Sequence, residues 1–76
     1  MTVVTSARGF DTNSGVKAAM TRRARDISGN LVKIKADSFG IPDSSIVDGF
    51  GHQLVHFEVG PNTLCVSFPV EALRPA

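Results

Sequence analysis

His52-Gln53-Leu54-Val55-His56-Phe57-Glu58-Val59, followed by Gly60-Pro61-Asn62-Thr63 and then Leu64-Cys65-Val66-Ser67-Phe68, decides how this chain folds. Apolar and polar residues alternate on both sides of a cluster of turn formers, the period-two pattern of a β-hairpin. With residues 60–63 as a four-residue loop, Val59 falls opposite Leu64, Phe57 opposite Val66 and Val55 opposite Phe68, so six apolar side chains share one face. A slip of one residue would set them against Thr63, Cys65 and Ser67, so the alternation specifies which face turns inward. His56, Glu58 and Cys65 take the other face.

On the C-terminal side, Pro69 lacks a ladder donor and ends the last long strand. Val70-Glu71-Ala72-Leu73 then reads as one helical turn before Arg74-Pro75-Ala76. On the N-terminal side, Asp48-Gly49-Phe50-Gly51 is a turn, Ser44 to Val47 a short strand, and Ala36 to Pro42 a loop marked by Gly40 and Pro42. Leu31-Val32-Lys33-Ile34-Lys35 alternates as a strand, with Val32 and Ile34 on one face and both lysines on the other. Further back, Val16, Met20, Ala24 and Ile27 recur at i, i+4, i+8 and i+11, the stripe of an amphipathic helix. Ser14 suits its N-cap and Gly29 its left-handed end. The expected organisation is one domain: an N-terminal arm or edge strand over 1–13, including the β-branched run Thr2 to Thr5; a helix over 14–28; and a β-barrel or meander over 29–76. The fold class is mainly β with an α+β character, an antiparallel barrel or sheet carrying one N-terminal amphipathic helix.

A chain of 76 residues is near the size at which one core supplies only about 3–5 kcal/mol of net stability. A homo-oligomer, or docking on a larger partner, is therefore expected. With 42% hydrophobic and 20% charged residues, the composition is that of a soluble globular chain. No run approaches the roughly 18 apolar residues of a membrane-spanning helix, and the first residues lack the pattern of a signal peptide. Cys65 is the only cysteine, which excludes an internal disulfide framework and fits a reducing cytoplasm. Trp and Tyr are absent, leaving Phe and Arg as the large anchors for a binding surface.

The net charge of +1 conceals a polarity. Residues 1–30 carry five cations against two carboxylates, Arg8, Lys17, Arg22, Arg23 and Arg25 against Asp11 and Asp26; residues 31–76 carry three against five. On the expected helix, Lys17, Arg22 and Arg25 spread over the face opposite the apolar stripe, and Arg23 falls close to the stripe itself. Such a face suits an acidic protein partner or, through phosphate neutralisation, a nucleic acid. Phe39 and Phe50, both in loops, complete the candidate partner-binding set of Lys17, Arg22, Arg23, Arg25, Phe39 and Phe50.

No catalytic, metal or cofactor site is expected. His52 and His56 on a strand stand about 13 Å apart, too far for one zinc ion. His56 and Cys65 share the outer face, but a thiol nucleophile also needs a positioned third group or an oxyanion donor, and none is evident. The aspartates lie in or beside loops, where Asp caps turns, and the scattered glycines form no phosphate-binding loop.

Residues 29–76 resemble a small SH3-like barrel, on the strength of Gly29-Asn30-Leu31-Val32-Lys33-Ile34, Ser45 to Gly49, Leu54 to Glu58, Val66 to Pro69 and Val70 to Pro75. The resemblance implies a short helical turn before the last strand, the place of Val70 to Leu73. Among such barrels, the type II dihydrofolate reductases are similar in length and in a Pro-Val-x-Ala-Leu segment, here Pro69-Val70-Glu71-Ala72-Leu73. That family's pore glutamine and tyrosine are replaced here, the four residues before the proline being Cys65-Val66-Ser67-Phe68, so the resemblance implies the fold and not the activity. Size and want of catalytic motifs also resemble short phage and plasmid proteins, including inhibitors of bacterial defence complexes. The expected function is a non-enzymatic interaction protein that regulates or inhibits a larger protein or nucleoprotein complex. A nucleic-acid-binding regulator and a small oligomeric enzyme with a site on a symmetry axis are the alternatives.

Overall fold

The computed structural model describes residues 9–76 and shows one antiparallel sheet of seven strands curled into a half-barrel. The strands are β1 (Val16–Ala18), β2 (Arg22–Asp26), β3 (Leu31–Ile34), β4 (Phe39–Pro42), β5 (His52–Val59), β6 (Asn62–Pro69) and β7 (Leu73–Pro75). Their order across the sheet is β3-β2-β6-β5-β4-β1-β7. A single 3-10 turn, Val70–Ala72, leads into β7, where the sequence places a helical turn. The β-branched run at residues 2–5, and Arg8, lie outside the described residues.

The β5–β6 hairpin forms the centre of the sheet, with its alternation as read from the sequence: Gln53, Val55 and Phe57 are buried on β5, and Val66 and Phe68 on β6. Its register differs from the expected one by two residues. Val59 faces Asn62, Phe57 faces Leu64, Val55 faces Val66 and Gln53 faces Phe68, so the connection is the two residues Gly60-Pro61. Gly60 has φ +60° and Pro61 is held by its ring at negative φ, the combination of a type II′ turn, whose twist matches that of the flanking strands. A shift of two preserves every inward and outward assignment, which is why the hydrophobic face survives it.

The helix expected over 14–28 is not formed. This stretch makes β1, a connection through Ala19-Met20-Thr21, and β2. Val16, Ala18 and Ala24 are buried, whereas Met20 is 49% exposed and Ile27 73% exposed, so the i, i+4 stripe does not face the core. An i+4 spacing is also two full periods of a strand, so Val16, Ala18, Met20 and Ala24 share parity and fit either periodicity. Long-range pairing decides in favour of strands. β1 is held between β4 and β7, and β2 between β3 and β6.

Two further corrections follow. The expected loop over Ala36 to Pro42 contains β4, with Gly40 opposite Phe57 and Pro42 opposite Val55. The expected strand over Ser44 to Val47 is irregular. Gly40 explains the first: a Cβ there would lie 2.7 Å from Val55 Cγ1 and 2.9 Å from Phe57 Cδ1, so the glycine marks where β4 closes onto the core.

The core comprises Val16, Ala18, Ala24, Ile34, Val55, Phe57, Val66, Phe68, Ala72 and Leu73. At its centre the Phe57 and Phe68 rings meet edge to face, 5.0 Å between centroids and at 63°. Gln53 is the one buried polar side chain of the described residues. It accepts from Phe10 N–H (3.0 Å) and donates through Nε2 to Phe10 O (2.7 Å) and Ser44 O (2.6 Å). Both amide hydrogens are used, and the glutamine clips two non-strand segments onto the end of the sheet.

Candidate functional site

β2 and β3 form a hairpin around Ile27-Ser28-Gly29-Asn30, in which Asp26 Oδ1 accepts from both Ser28 and Asn30 N–H at 2.9 Å and Gly29 adopts φ +88°. Arg25 closes the same turn, donating from Nη1 to Gly29 O at 2.8 Å. Alternation along β2 turns Ala24 into the core and Arg23 and Arg25 to the outer face; Arg22 shares the parity of Ala24 but stands exposed at the strand's end. Across the strands, Arg23 faces Lys33, and Arg25 lies between Leu31 on β3 and Ser67 on β6. Arg23, expected at the edge of an apolar helical stripe, is thus an outward-facing cation beside a second one.

Phe50 arrives at this face from another part of the chain. Asp48 builds its turn: Oδ1 accepts from Phe50 N–H (2.8 Å) and His52 N–H (2.9 Å), Asp48 O accepts from Gly51 N–H, and Gly51 has φ +76°. Bonds from the His52 and Phe50 amides hold the Asp48 carboxyl below the usual aspartate range. Phe50 is 88% exposed, so it is a surface residue and not a cover for the barrel end.

Between β2 and this turn lies an open groove of about 380 Å3, lined by Arg22, Arg23, Arg25, Asp48, Phe50 and His52 among others. A second concavity, of about 410 Å3, shares Arg22, Phe50, His52 and Pro69 with it and continues to Glu71. A third, of about 300 Å3, extends past Asp48, His52 and Ser67 to Ile46 and Leu54. His52 Nδ1 and Ser67 Oγ are 3.3 Å apart on the floor of the groove. The hydrogen bonds between the Asp48 carboxylate and His52 run to the backbone amide and not to the imidazole, so these three side chains do not make a relay for nucleophilic attack.

Four of the six expected contact residues, Arg22, Arg23, Arg25 and Phe50, therefore share one groove. Lys17 and Phe39 do not. They face each other across β1 and β4, and Lys17 also faces Arg74 on β7. Leu31, Asp48, His52, Ser67 and Pro69 are among the groove residues that sequence reasoning missed. The signal available was parity, since Ser67 lies on the outer face with Cys65, but the pairing of β2 with β6 that brings Arg25 to Ser67 has no local signature.

The remaining chemical candidates separate cleanly. His56 Nε2 donates to Asp43 Oδ1 at 2.8 Å and faces Cys65 across the strands. Burial, and secondarily the Asp43 carboxylate, push the Cys65 thiol up, the wrong direction for a nucleophile. Among the described residues no group of three His, Cys, Asp or Glu side chains could hold a metal ion, and no helix is long and apolar enough to cross a membrane. The ion pairs of the described residues, Asp43–His56 and Asp37–Arg74, involve no residue of β2 or β3. Against this geometry, a scan of protein-family models, a search of curated proteins and a search of solved structures each gave no match.

Proposed function

We propose that this chain is a non-enzymatic interaction protein that regulates or inhibits a larger protein or nucleoprotein complex, docking through the exposed cationic surface of β2 and β3. The observation that carries the proposal is the convergence of Arg22, Arg23 and Arg25 with the exposed Phe50 on one groove. Neither ion pair of the described residues involves these arginines; Arg25 uses Nη1 on Gly29 O, and its other N–H groups, with those of Arg22 and Arg23, face an anionic partner. Arginine and aromatic side chains are the usual anchors of binding surfaces. The Asp48 bonds stiffen the turn that presents Phe50, which lowers the entropy cost of ordering it on binding.

Two accompanying expectations belong to the same proposal. An SH3-like reading of the barrel is supported by the 3-10 turn directly before β7. A cytoplasmic setting is supported by the free thiol of Cys65, and a phage or plasmid source by the small size.

The test is the double variant Arg22→Glu with Arg25→Glu. Both residues are exposed, so the variant is expected to keep a cooperative melt. Its affinity for the partner recovered by pull-down from the host should fall by several kcal/mol, because like charges would then meet across the interface. A folded double variant that binds that partner as tightly as wild type at low salt would move the contact surface to the Lys17–Phe39 face.

A further inference from the structure

The docking face has a feature that points to one class of anionic partner. Phe50 borders two adjoining concavities, one reaching Arg23 and Arg25 on β2 and one reaching Val70 and Glu71, with Arg22, His52 and Pro69 common to both. An aromatic residue 88% exposed at the border of two recesses is a platform for flat groups.

We propose that this groove binds single-stranded nucleic acid, with a base stacked on Phe50 and the adjoining phosphates against Arg22, Arg23 and Arg25. The inference rests on the docking reading above and narrows it to one partner.

Four observations carry it. The cations are arginines, whose planar fork matches phosphate oxygens, and Lys33 stands directly opposite Arg23 and extends the positive strip across to β3. The ring lies beside the cations, the combination by which strands are held without sequence preference: backbone on the charges, bases on the aromatic faces. The floor supplies the Ser67 hydroxyl and the His52 ring, hydrogen-bonding groups for a base edge. Asp48 is the one carboxylate lining the first groove, its Oδ1 is engaged by two backbone N–H bonds of its own turn, and three arginines of the same lining outnumber its charge. A duplex keeps its base faces stacked on each other and leaves Phe50 only the backbone to touch. An acidic peptide would satisfy the arginines but makes no use of an exposed ring between two recesses.

The experiment is fluorescence anisotropy of the full chain with labelled oligodeoxythymidylate, oligouridylate, a mixed-sequence duplex and polyglutamate, each titrated across a range of salt. The expected result is binding of a single strand in preference to the duplex. Its log affinity should fall with log salt at a slope of about −2, as contact with about three phosphates requires at about −0.7 each. The deoxythymidylate and uridylate arms decide whether the strand is DNA or RNA. Phe50→Ala should weaken binding about five- to 150-fold, the equivalent of one stacked base, without changing the salt slope; Phe50→Trp should restore it. Phe50 packs on nothing in the core, so both variants are expected to fold, and a thermal melt verifies that. Absence of single-strand binding at low salt, equal or tighter binding of the duplex, or an unchanged affinity in Phe50→Ala would each overturn the inference. Arginine-dependent capture of polyglutamate with no oligonucleotide bound would overturn it too, while leaving the docking reading standing.

Discussion

Gln53 shows what a single buried polar side chain can organise in so small a protein. On β5 it occupies the inward parity of Val55 and Phe57, yet its amide reaches past the sheet to bind Phe10 and Ser44 through three hydrogen bonds. Close by, a Cβ on Gly9 would come within 2.7 Å of Gln53 Cδ, so the segment is fitted tightly around the amide. Gln53→Leu would keep the volume and leave the Phe10 N–H and both carbonyls without partners. We expect it to cost about 1–3 kcal/mol in urea denaturation, the penalty for stranding buried polar groups. Its inward parity was legible in the sequence; the partners it reaches, 43 and 9 positions away, were not. Cys65 makes the complementary case. Its outward parity and proximity to His56 follow from alternation alone, but its pKa is raised first by burial in the folded sheet and second by Asp43, which arrives from the chain following β4.

At the level of elements, the contrast between the β5–β6 hairpin and the β1–β2 stretch shows where sequence patterns suffice. Eight-residue strands alternating on both sides of a turn leave only the even shifts of register open, and turn chemistry chooses among those. Gly60 makes that choice. Nothing lies within 4 Å of where its Cβ would be, so Gly60→Ala isolates the backbone term: a side chain forced to φ +60°. The expected loss is about 1–2 kcal/mol with an unchanged denaturant slope. A neutral outcome would indicate that the hairpin uses the longer loop that its sequence also permits. In β1 and β2 the apolar residues are sparse and spaced by four, a number compatible with both a helix and a strand. What excludes the helix is the demand of β4, β6 and β7 for hydrogen-bonding neighbours, a tertiary requirement that overrides local periodicity.

On the scale of the whole molecule, the sheet curls without closing, and its two outer strands are protected differently. β7 is three residues long and ends on Pro75; β3 carries Lys33, with Lys35 just beyond it. Short length, proline and lysine all discourage edge-to-edge association. The same curl carries Phe50 to arginines 25 to 28 positions earlier in the chain, which is why the expected contact residues could be named individually and their convergence could not. The lysine on β3 has a second effect. Because Lys33 faces Arg23 directly, the unliganded sheet contains a repulsive cross-strand pair, and Arg25 adds to the same positive strip. Any anion that settles there relieves the repulsion only in the native state, so folding and binding are thermodynamically linked. Polyphosphate should therefore raise the melting temperature well beyond the effect of chloride at equal ionic strength, and Lys33→Gln should raise it without any ligand while shrinking the polyphosphate increment. The protein would then be least stable when alone, and its abundance in a cell would follow the supply of whatever fills that strip.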